Sequence, residues 1–308
     1  MTAAGATAVG LFGKTPAERD FVRVNAGAFL RAGLDRWFQE GVEQLRSERS
    51  QLPAEPAHFL FVPATGTAPF AGAFAPGQDA LGRIFPVIVF AALDSQPQTD
   101  LSLIPLRLGS FYRASARLAT AAHALTTAQL TSEIHTLASD LRPPASLADV
   151  EAGLLRSSSS DLRAALGGLP EAAAYALSTV IAACSQTEAR PPESPARVLV
   201  LDCPAPTDEL RTFWLELVRR HLNARTQILS LLWTEASGRL LVGLGLASSL
   251  MLAYLADPDH KSSRRWPLCT LNQSARLGAA EKLSSAQRQV LAAEDASLTD
   301  ILTAFSDA

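Results

Sequence analysis

Cysteine is scarce in this 308-residue chain, and this excludes a fold stapled by disulfides. The cysteines lie far apart and are odd in number: Cys184, Cys203 and Cys269. Small disulfide-rich domains instead carry even sets of cysteines at regular spacing. We therefore expect reduced thiols and a reducing compartment, which favours the cytoplasm.

Histidine is also sparse, and its distribution gives no support for a metal site. The five histidines are His58, His123, His135, His221 and His260. No two of them, and no two cysteines, have the spacing of a metal-ligand pair. The sequence therefore predicts no metal.

The glycine-rich loops and nucleophile motifs of common enzymes are absent. There is no Walker loop and no nucleophile elbow. The run Gly243-Leu244-Gly245 begins like a dinucleotide fingerprint, but Ser248 stands where its third glycine should be. We expect no cofactor, no small-molecule substrate and no catalysis. One alternative stays open, an enzyme of unknown reaction with its site at the strand end near Asp202, because ligands of α/β proteins gather at strand ends.

A strong charge and a long hydrophobic run are missing too. The formal net charge is −3, which gives no general attraction to nucleic acid or to anionic membranes. Residues 240–256 carry no charge, but glycines and serines interrupt them and their length is at the short limit of a membrane span. Residues 1–9 lack the basic residues of a signal peptide. We expect a soluble cytoplasmic protein with neither membrane insertion nor nucleic-acid binding.

What the chain does contain is a series of short apolar runs typical of a covered sheet. Hydrophobic residues make up 48% of the chain and charged residues 19%, which is typical of a folded protein. A strand is expected at Ala8 to Phe12, and Asn25 could cap a helix reaching Arg46. Further strands are expected at 58–62, 70–74 and 84–93. The last is apolar throughout, so it should be covered on both faces, with Pro86 at its start.

The rest of the chain first becomes helical and then alternates. Helices are expected near 105–124, 127–139, 146–155, 160–166 and 170–186, and a linker-like turn at 190–195. Strands follow at 197–202, 227–233 and 240–246, with helices at 208–222, 248–255 and 296–305.

This pattern predicts an α/β layered domain with a central mixed β-sheet flanked by helices. We expect one domain over residues 1–308, with segments 8–93 and 197–246 building a single sheet. The helical segment near 101–190 should form a layer on that sheet. Strand order does not follow from the pattern.

Two motifs occur near the amino end. The first reads Gly10-Leu11-Phe12-Gly13-Lys14, followed by Pro16 and the pair Asp20-Phe21. The second reads Leu34-Asp35-Arg36-Trp37-Phe38-Gln39-Glu40-Gly41. They resemble the opening pattern and the Asp-x-Trp-x-Gln-x-Gly helix of the TagF/ImpM family of type VI secretion accessory proteins. Arg19 departs from the glycine that commonly precedes the Asp of that opening pattern.

A third motif strengthens this resemblance. It reads Asp79-Ala80-Leu81-Gly82-Arg83-Ile84-Phe85-Pro86 and is similar to the family's Asp-x-x-Gly-Arg-x-aromatic-Pro signature. A looser match is Ser230-Leu231-Leu232-Trp233-Thr234. The resemblance implies a cytoplasmic regulator that acts after translation by binding the forkhead-associated scaffold protein of the secretion apparatus. A structural subunit of that apparatus is a further alternative.

The motifs supply the candidate site residues, which are Lys14, Asp20, Asp35, Trp37, Asp79 and Arg83. The charges among them could form an internal ion-pair network that braces the first strand, the first helix and the strand from Ile84. They could instead form a polar patch that docks a partner. The four-residue step from Asp79 to Arg83 allows a direct pair, and Asp20 is the other possible partner of Arg83.

Overall fold

The computed structural model describes residues 6–63, 68–93, 103–139, 147–189, 198–222, 228–245 and 247–306. The predicted turn at 190–195 lies outside these ranges. The strands are β1 Ala6–Gly13, β2 Val22–Val24, β3 Ala57–Phe61, β4 Phe70–Ala75, β5 Val87–Leu93, β6 Leu199–Pro204, β7 Ile228–Thr234, β8 Arg239–Leu244 and β9 Arg265–Pro267. The helices are α1 Gly27–Arg31, α2 Leu34–Ser47, α3 Ile104–Arg107, α4 Gly109–Ala121, α5 Thr127–Ser139, α6 Leu147–Arg156, α7 Ser159–Ala165, α8 Pro170–Glu188, α9 Asp208–His221, α10 Met251–Ala256, α11 Gln273–Glu281, α12 Ser285–Ala292 and α13 Leu298–Ser306.

The strands of the described residues form one sheet in the order β2-β1-β5-β4-β3-β7-β8-β6-β9. All neighbours are antiparallel except β6 and β9, which run parallel, so the sheet is mixed. The two halves of the chain meet where β3 pairs with β7, in a register that places Phe59 opposite Leu232. This confirms the predicted mixed sheet and its origin in both segments.

Both faces of the sheet are covered, which explains why its strands are apolar throughout. Alternate residues of β5 enter different cores, with Val89 on one face and Phe90 on the other. The first face packs against helices of the 103–189 segment, where α4 contacts β4 and β5, and against α9. The second face packs against α1, α2 and α10. The predicted helical layer on the sheet is therefore confirmed.

The α1/α2 face is dense in phenylalanine. Phe29 of α1 stacks on Phe90 with ring centroids 4.6 Å apart. Phe38 of α2 meets Phe74 edge-on at 5.1 Å. Aromatic pairs of this geometry add to the free energy gained by burying their area. This face fixes the position of α2 beside the candidate site.

The predicted single helix from Asn25 to Arg46 is wrong. Helix α1 ends at Arg31, and α2 begins after Gly33, whose φ of +74° belongs to the left-handed region that glycine tolerates. Asn25 does not cap α1. Its own φ is +51°, and its side-chain amide donates to the Val9 carbonyl at 2.9 Å. Asn25 thus ties the chain to β1 instead of starting a helix.

In the described parts of this uncharged segment, 240–245 and 247–256, the strand β8 is followed by the buried helix α10, as expected. Within the described ranges, no single helix is long and apolar enough to cross a membrane. Helices α7 and α8 reach that length and hydropathy only when taken together, across a bend of 86°.

Candidate functional site

The third motif forms a compact loop between β4 and β5. The Asp79 amide donates to the Arg83 carbonyl at 3.1 Å, and the Phe85 amide donates to the Gly77 carbonyl at 3.0 Å. Gly82 has a φ of +76°, which suits glycine at this reversal. A Cβ at Gly77 would lie 2.5 Å from the Lys14 carbonyl oxygen, so that glycine lets the loop lie against the end of β1.

Asp79 is the centre of this loop, and its carboxylate is buried. Its Oδ1 accepts from the amides of Leu81 and Arg83, both at 2.9 Å. Its Oδ2 accepts from Arg83 Nε at 2.7 Å and lies 3.0 Å from Lys14 Nζ. A buried carboxylate is stable only when its lone pairs are matched in this way.

The hydrogen bonds decide the charge of Asp79. Burial alone raises the pKa of its carboxyl, but the Arg83 amide, the Lys14 ammonium and the Arg83 guanidinium together lower it. The Leu81 amide acts in the same direction, and the pKa of Asp79 lies well below its usual value. Asp79 is therefore ionised at neutral pH and holds Lys14, whose side chain is only 9% exposed.

Arg83 joins the loop to the segment after β1 but remains half exposed. Its side chain is 53% exposed, and its Nη2 donates to the Arg19 carbonyl. The Ala80 amide donates to the Glu18 carbonyl at 2.8 Å, which fixes the same two segments. The prediction that Arg83 pairs with Asp79 is confirmed. The alternative pair with Asp20 is wrong, since within the described residues the exposed Asp20 side chain bonds only the amide of its neighbour Phe21.

Two of the six candidates lie away from this loop. Asp35 occupies the first turn of α2, and no bond within the described ranges joins it to the Lys14–Asp79–Arg83 cluster. Trp37 is buried on α2 and packs edge-on against Phe61 with centroids 5.7 Å apart. The expected network therefore braces β1 and the loop before β5, but it does not include the first helix. Trp37 belongs to the core.

A groove of about 590 Å³ runs beside the cluster, between α2, residues 50–54 and the loop. Its apolar walls include Leu45 and Ile84, and the charged side chains in its lining are the cations Lys14 and Arg46. Arg46 donates to the Ile84 carbonyl at 3.2 Å, which holds α2 against the loop.

The exposure of Ile84 corrects the sequence prediction. The strand was expected to begin at Ile84, with that side chain covered, but β5 begins at Val87. Ile84 is 47% exposed and Leu81 is 62% exposed. Sequence reasoning missed this pair because an apolar residue before a buried strand looks like part of that strand. The Gly82-Arg83 turn lies between Leu81 and Ile84. It is the feature of the sequence that could have shown that both residues precede the buried strand.

The strand end near Asp202, where the sequence left an enzyme site open, holds a cluster of ion pairs beside a buried thiol. Both oxygens of Asp202 accept from guanidiniums, those of Arg239 and Arg265. Burial raises the pKa of the neighbouring Cys203 thiol well above its usual value, and the charge of Asp202 adds to this. A neutral buried thiol is a poor nucleophile. Within the residues described, no group of three or more His, Cys, Asp or Glu side chains could hold a metal ion.

The comparison with protein families agrees with the motifs. Residues 10–137 match the family described as "TagF N-terminal domain, Type VI secretion system-associated". No curated protein matches the chain. A crystal structure of the protein PA0076 from Pseudomonas aeruginosa PAO1 is similar at 22% identity and a TM-score of 0.37, over 45% of this chain and 64% of that one. Residues 10–137, less than half of the chain, are therefore similar to the TagF N-terminal domain of type VI secretion-associated proteins, as the sequence motifs predict.

Proposed function

We propose that this protein is a non-catalytic cytoplasmic regulator of type VI secretion that acts by binding another protein. The observation that carries the proposal is the loop between β4 and β5. It presents two large apolar side chains to solvent within four residues, Leu81 at 62% and Ile84 at 47% exposure. Exposed apolar patches rimmed by polar residues are typical of protein-binding surfaces. It lies within the matched residues 10–137.

The bracing of the loop suits it to binding. The carboxylate of Asp79 fixes the loop through two backbone amides and through the side chains of Lys14 and Arg83. A loop held in one conformation loses little entropy when a partner binds, so more of the contact energy remains as affinity. In this proposal, the ion-pair network and the docking patch are two parts of the same loop. Asp79 and Lys14 hold the loop, whereas Leu81, Arg83 and Ile84 face outward.

The adjoining groove indicates the chemistry of the bound surface. Its walls are apolar, and its charged lining residues Lys14 and Arg46 are cationic. An apolar side chain flanked by carboxylates would fit these walls and this charge. Together with the family resemblance, this supports the forkhead-associated scaffold protein of the apparatus as the partner.

The proposal is tested by titrating the purified protein with that scaffold protein and comparing Leu81→Asp with Leu155→Asp. The control is matched, because Leu155 on α6 is 59% exposed and lies outside residues 10–137. Leu81→Asp should weaken binding by about tenfold or more, which corresponds to about 1.4 kcal/mol. Leu155→Asp should bind as the unmodified chain does.

Three results would count against the proposal. If the scaffold does not bind the unmodified chain, the named partner is wrong. If Leu81→Asp binds with unchanged affinity, or if both variants lose binding equally, the loop is not the docking surface. Melting curves of both variants show whether each remains folded.

A further inference from the structure

A second cavity of about 590 Å³ lies outside the matched residues, at one end of the C-terminal strands. Its walls include Asp202 of β6, Arg239 at the start of β8 and Arg265 at the start of β9. The loop after α10 contributes Asp259 and Lys261. The cavity therefore gathers charged side chains from three strands and one loop.

Two guanidiniums share one carboxylate at the base of this cavity. Arg239 donates from Nε to Asp202 Oδ1 at 3.1 Å and from Nη2 to Oδ2 at 2.7 Å. Arg265 donates from Nε to Oδ2 at 2.9 Å. The side chains of Arg239, Arg265 and Asp202 are only 15%, 10% and 7% exposed. Because one carboxylate balances two cations, one largely buried positive charge remains without a counter-ion among the residues that the structure describes.

The other groups in the cavity do not remove this excess. The exposed Asp259 forms no ion pair within the part of the chain that the structure describes, and the same holds for Lys261. Counting Asp202, Arg239 and Arg265 as well, three cations and two carboxylates line the walls. The cavity is therefore positive in a chain whose net charge is −3.

The lining of this cavity offers more free hydrogen-bond donors than free acceptors. Arg239 Nη1 has no partner within the described residues, and Lys261 offers an ammonium group. The Ser262 oxygen already accepts from the Tyr254 hydroxyl at 2.9 Å and from the Arg264 amide at 3.2 Å. The hydroxyl hydrogen of Ser262 is thus left to donate.

We propose that this cavity binds a small-molecule oxyanion, a carboxylate or a phosphate, between Arg239, Lys261 and Ser262. An oxyanion supplies the missing negative charge and accepts from all three kinds of donor. Asp202 positions the two guanidiniums for this purpose and does not contact the anion. The proposal is independent of the docking loop, since none of these residues lies within residues 10–137.

Calorimetric titration of the full chain with inorganic phosphate, and separately with succinate, tests the proposal at constant ionic strength. We expect saturable binding of at least one probe. Lys261→Ala should weaken it by about threefold or more, as expected for the loss of one exposed charge contact. Lys282→Ala is the matched control, because Lys282 is also an exposed lysine but is not part of the cavity lining. The affinity of Lys282→Ala for the probes should equal that of the unmodified chain.

The two probes distinguish the sources of the anion. Binding of phosphate alone assigns a phosphate ligand, binding of succinate alone assigns a carboxylate, and mutual competition assigns a general oxyanion site. The absence of saturable binding by both probes overturns the proposal, as does equal affinity of the unmodified chain and Lys261→Ala. Because Lys261 is exposed, its loss leaves the Asp202 cluster intact.

Discussion

Asp202→Asn should be strongly destabilising although it changes almost no volume. The substitution removes the one negative charge that holds Arg239 and Arg265. Removing one partner from a buried ion pair costs about 3–5 kcal/mol, since the other charge is left without a counter-ion. The cavity gives both guanidiniums some access to water, so we expect the lower end, about 3 kcal/mol.

Urea unfolding followed by circular dichroism measures this effect. With an m value of about 3 kcal/mol/M, the midpoint should fall by about 1 M. Asp259→Asn is the control, because it removes an exposed carboxylate from the same cavity and should change stability by less than about 0.5 kcal/mol. A midpoint shift below about 0.3 M for Asp202→Asn, at unchanged m, would refute the reasoning.

A double substitution separates the stranded charge from other causes. If the cost of Asp202→Asn comes from guanidiniums without a counter-ion, replacing Arg265 by Met in the same chain should recover part of it. If the destabilisation of the double variant equals the sum of those of Asp202→Asn and Arg265→Met, the arginines are not coupled through Asp202.

Further predictions concern three buried positions. Asp79→Asn should flatten the dependence of stability on pH in acid, because the lowered pKa of Asp79 makes its contribution present above about pH 4 and lost as the pH falls further; melting temperatures of both chains between pH 3 and pH 7 measure this. Burial and the nearby Arg211 lower the pKa of His58 from 6.5 to about 4. The folded protein therefore favours the neutral ring of His58, and its stability should fall as the pH drops below 6.5. If the stability of a His58→Gln chain falls by the same amount over this pH range, the prediction is contradicted. Gly72→Ala should abolish soluble expression, because its Cβ would lie 2.1 Å from the Val89 carbonyl oxygen.

The sequence predicted the parts of the fold in which hydrophobic periodicity and burial agree. The strands β3, β4, β7 and β8 and the helices α5 and α9 lie within a few residues of their predicted ranges. The four strands are short runs that are apolar almost throughout, and the apolar residues of the two helices recur at the helical period, so the pattern alone is sufficient.

Elements without such a pattern were missed. The strands β2 and β9 have three residues each, too few to show alternation. Helix α11 buries no residue, so its sequence carries no apolar stripe. The break at Gly33 was missed because the residues on both sides of it continue one hydrophobic pattern across the gap.

The sequence predicted only those contacts of the candidate site that lie close together along the chain. Local spacing found the pair Asp79–Arg83, which lies within one turn. The contact of Lys14 with Asp79 joins residues 65 positions apart, and it depends on how β1 and β5 pair. The cavity at Asp202 brings together three strands and a loop, an arrangement that depends on strand order.

The pairing of β3 with β7 also determines when the sheet can be completed during synthesis. Phe59 and Leu232 face each other across 173 positions of sequence. At roughly 5–20 residues per second, β7 leaves the ribosome on the order of ten seconds or more after β3. Until then β3 has one unpaired edge and apolar side chains on both faces, a combination that invites pairing with other chains. A nascent chain can therefore cover this edge of β3 with its own residues only after β7 has emerged.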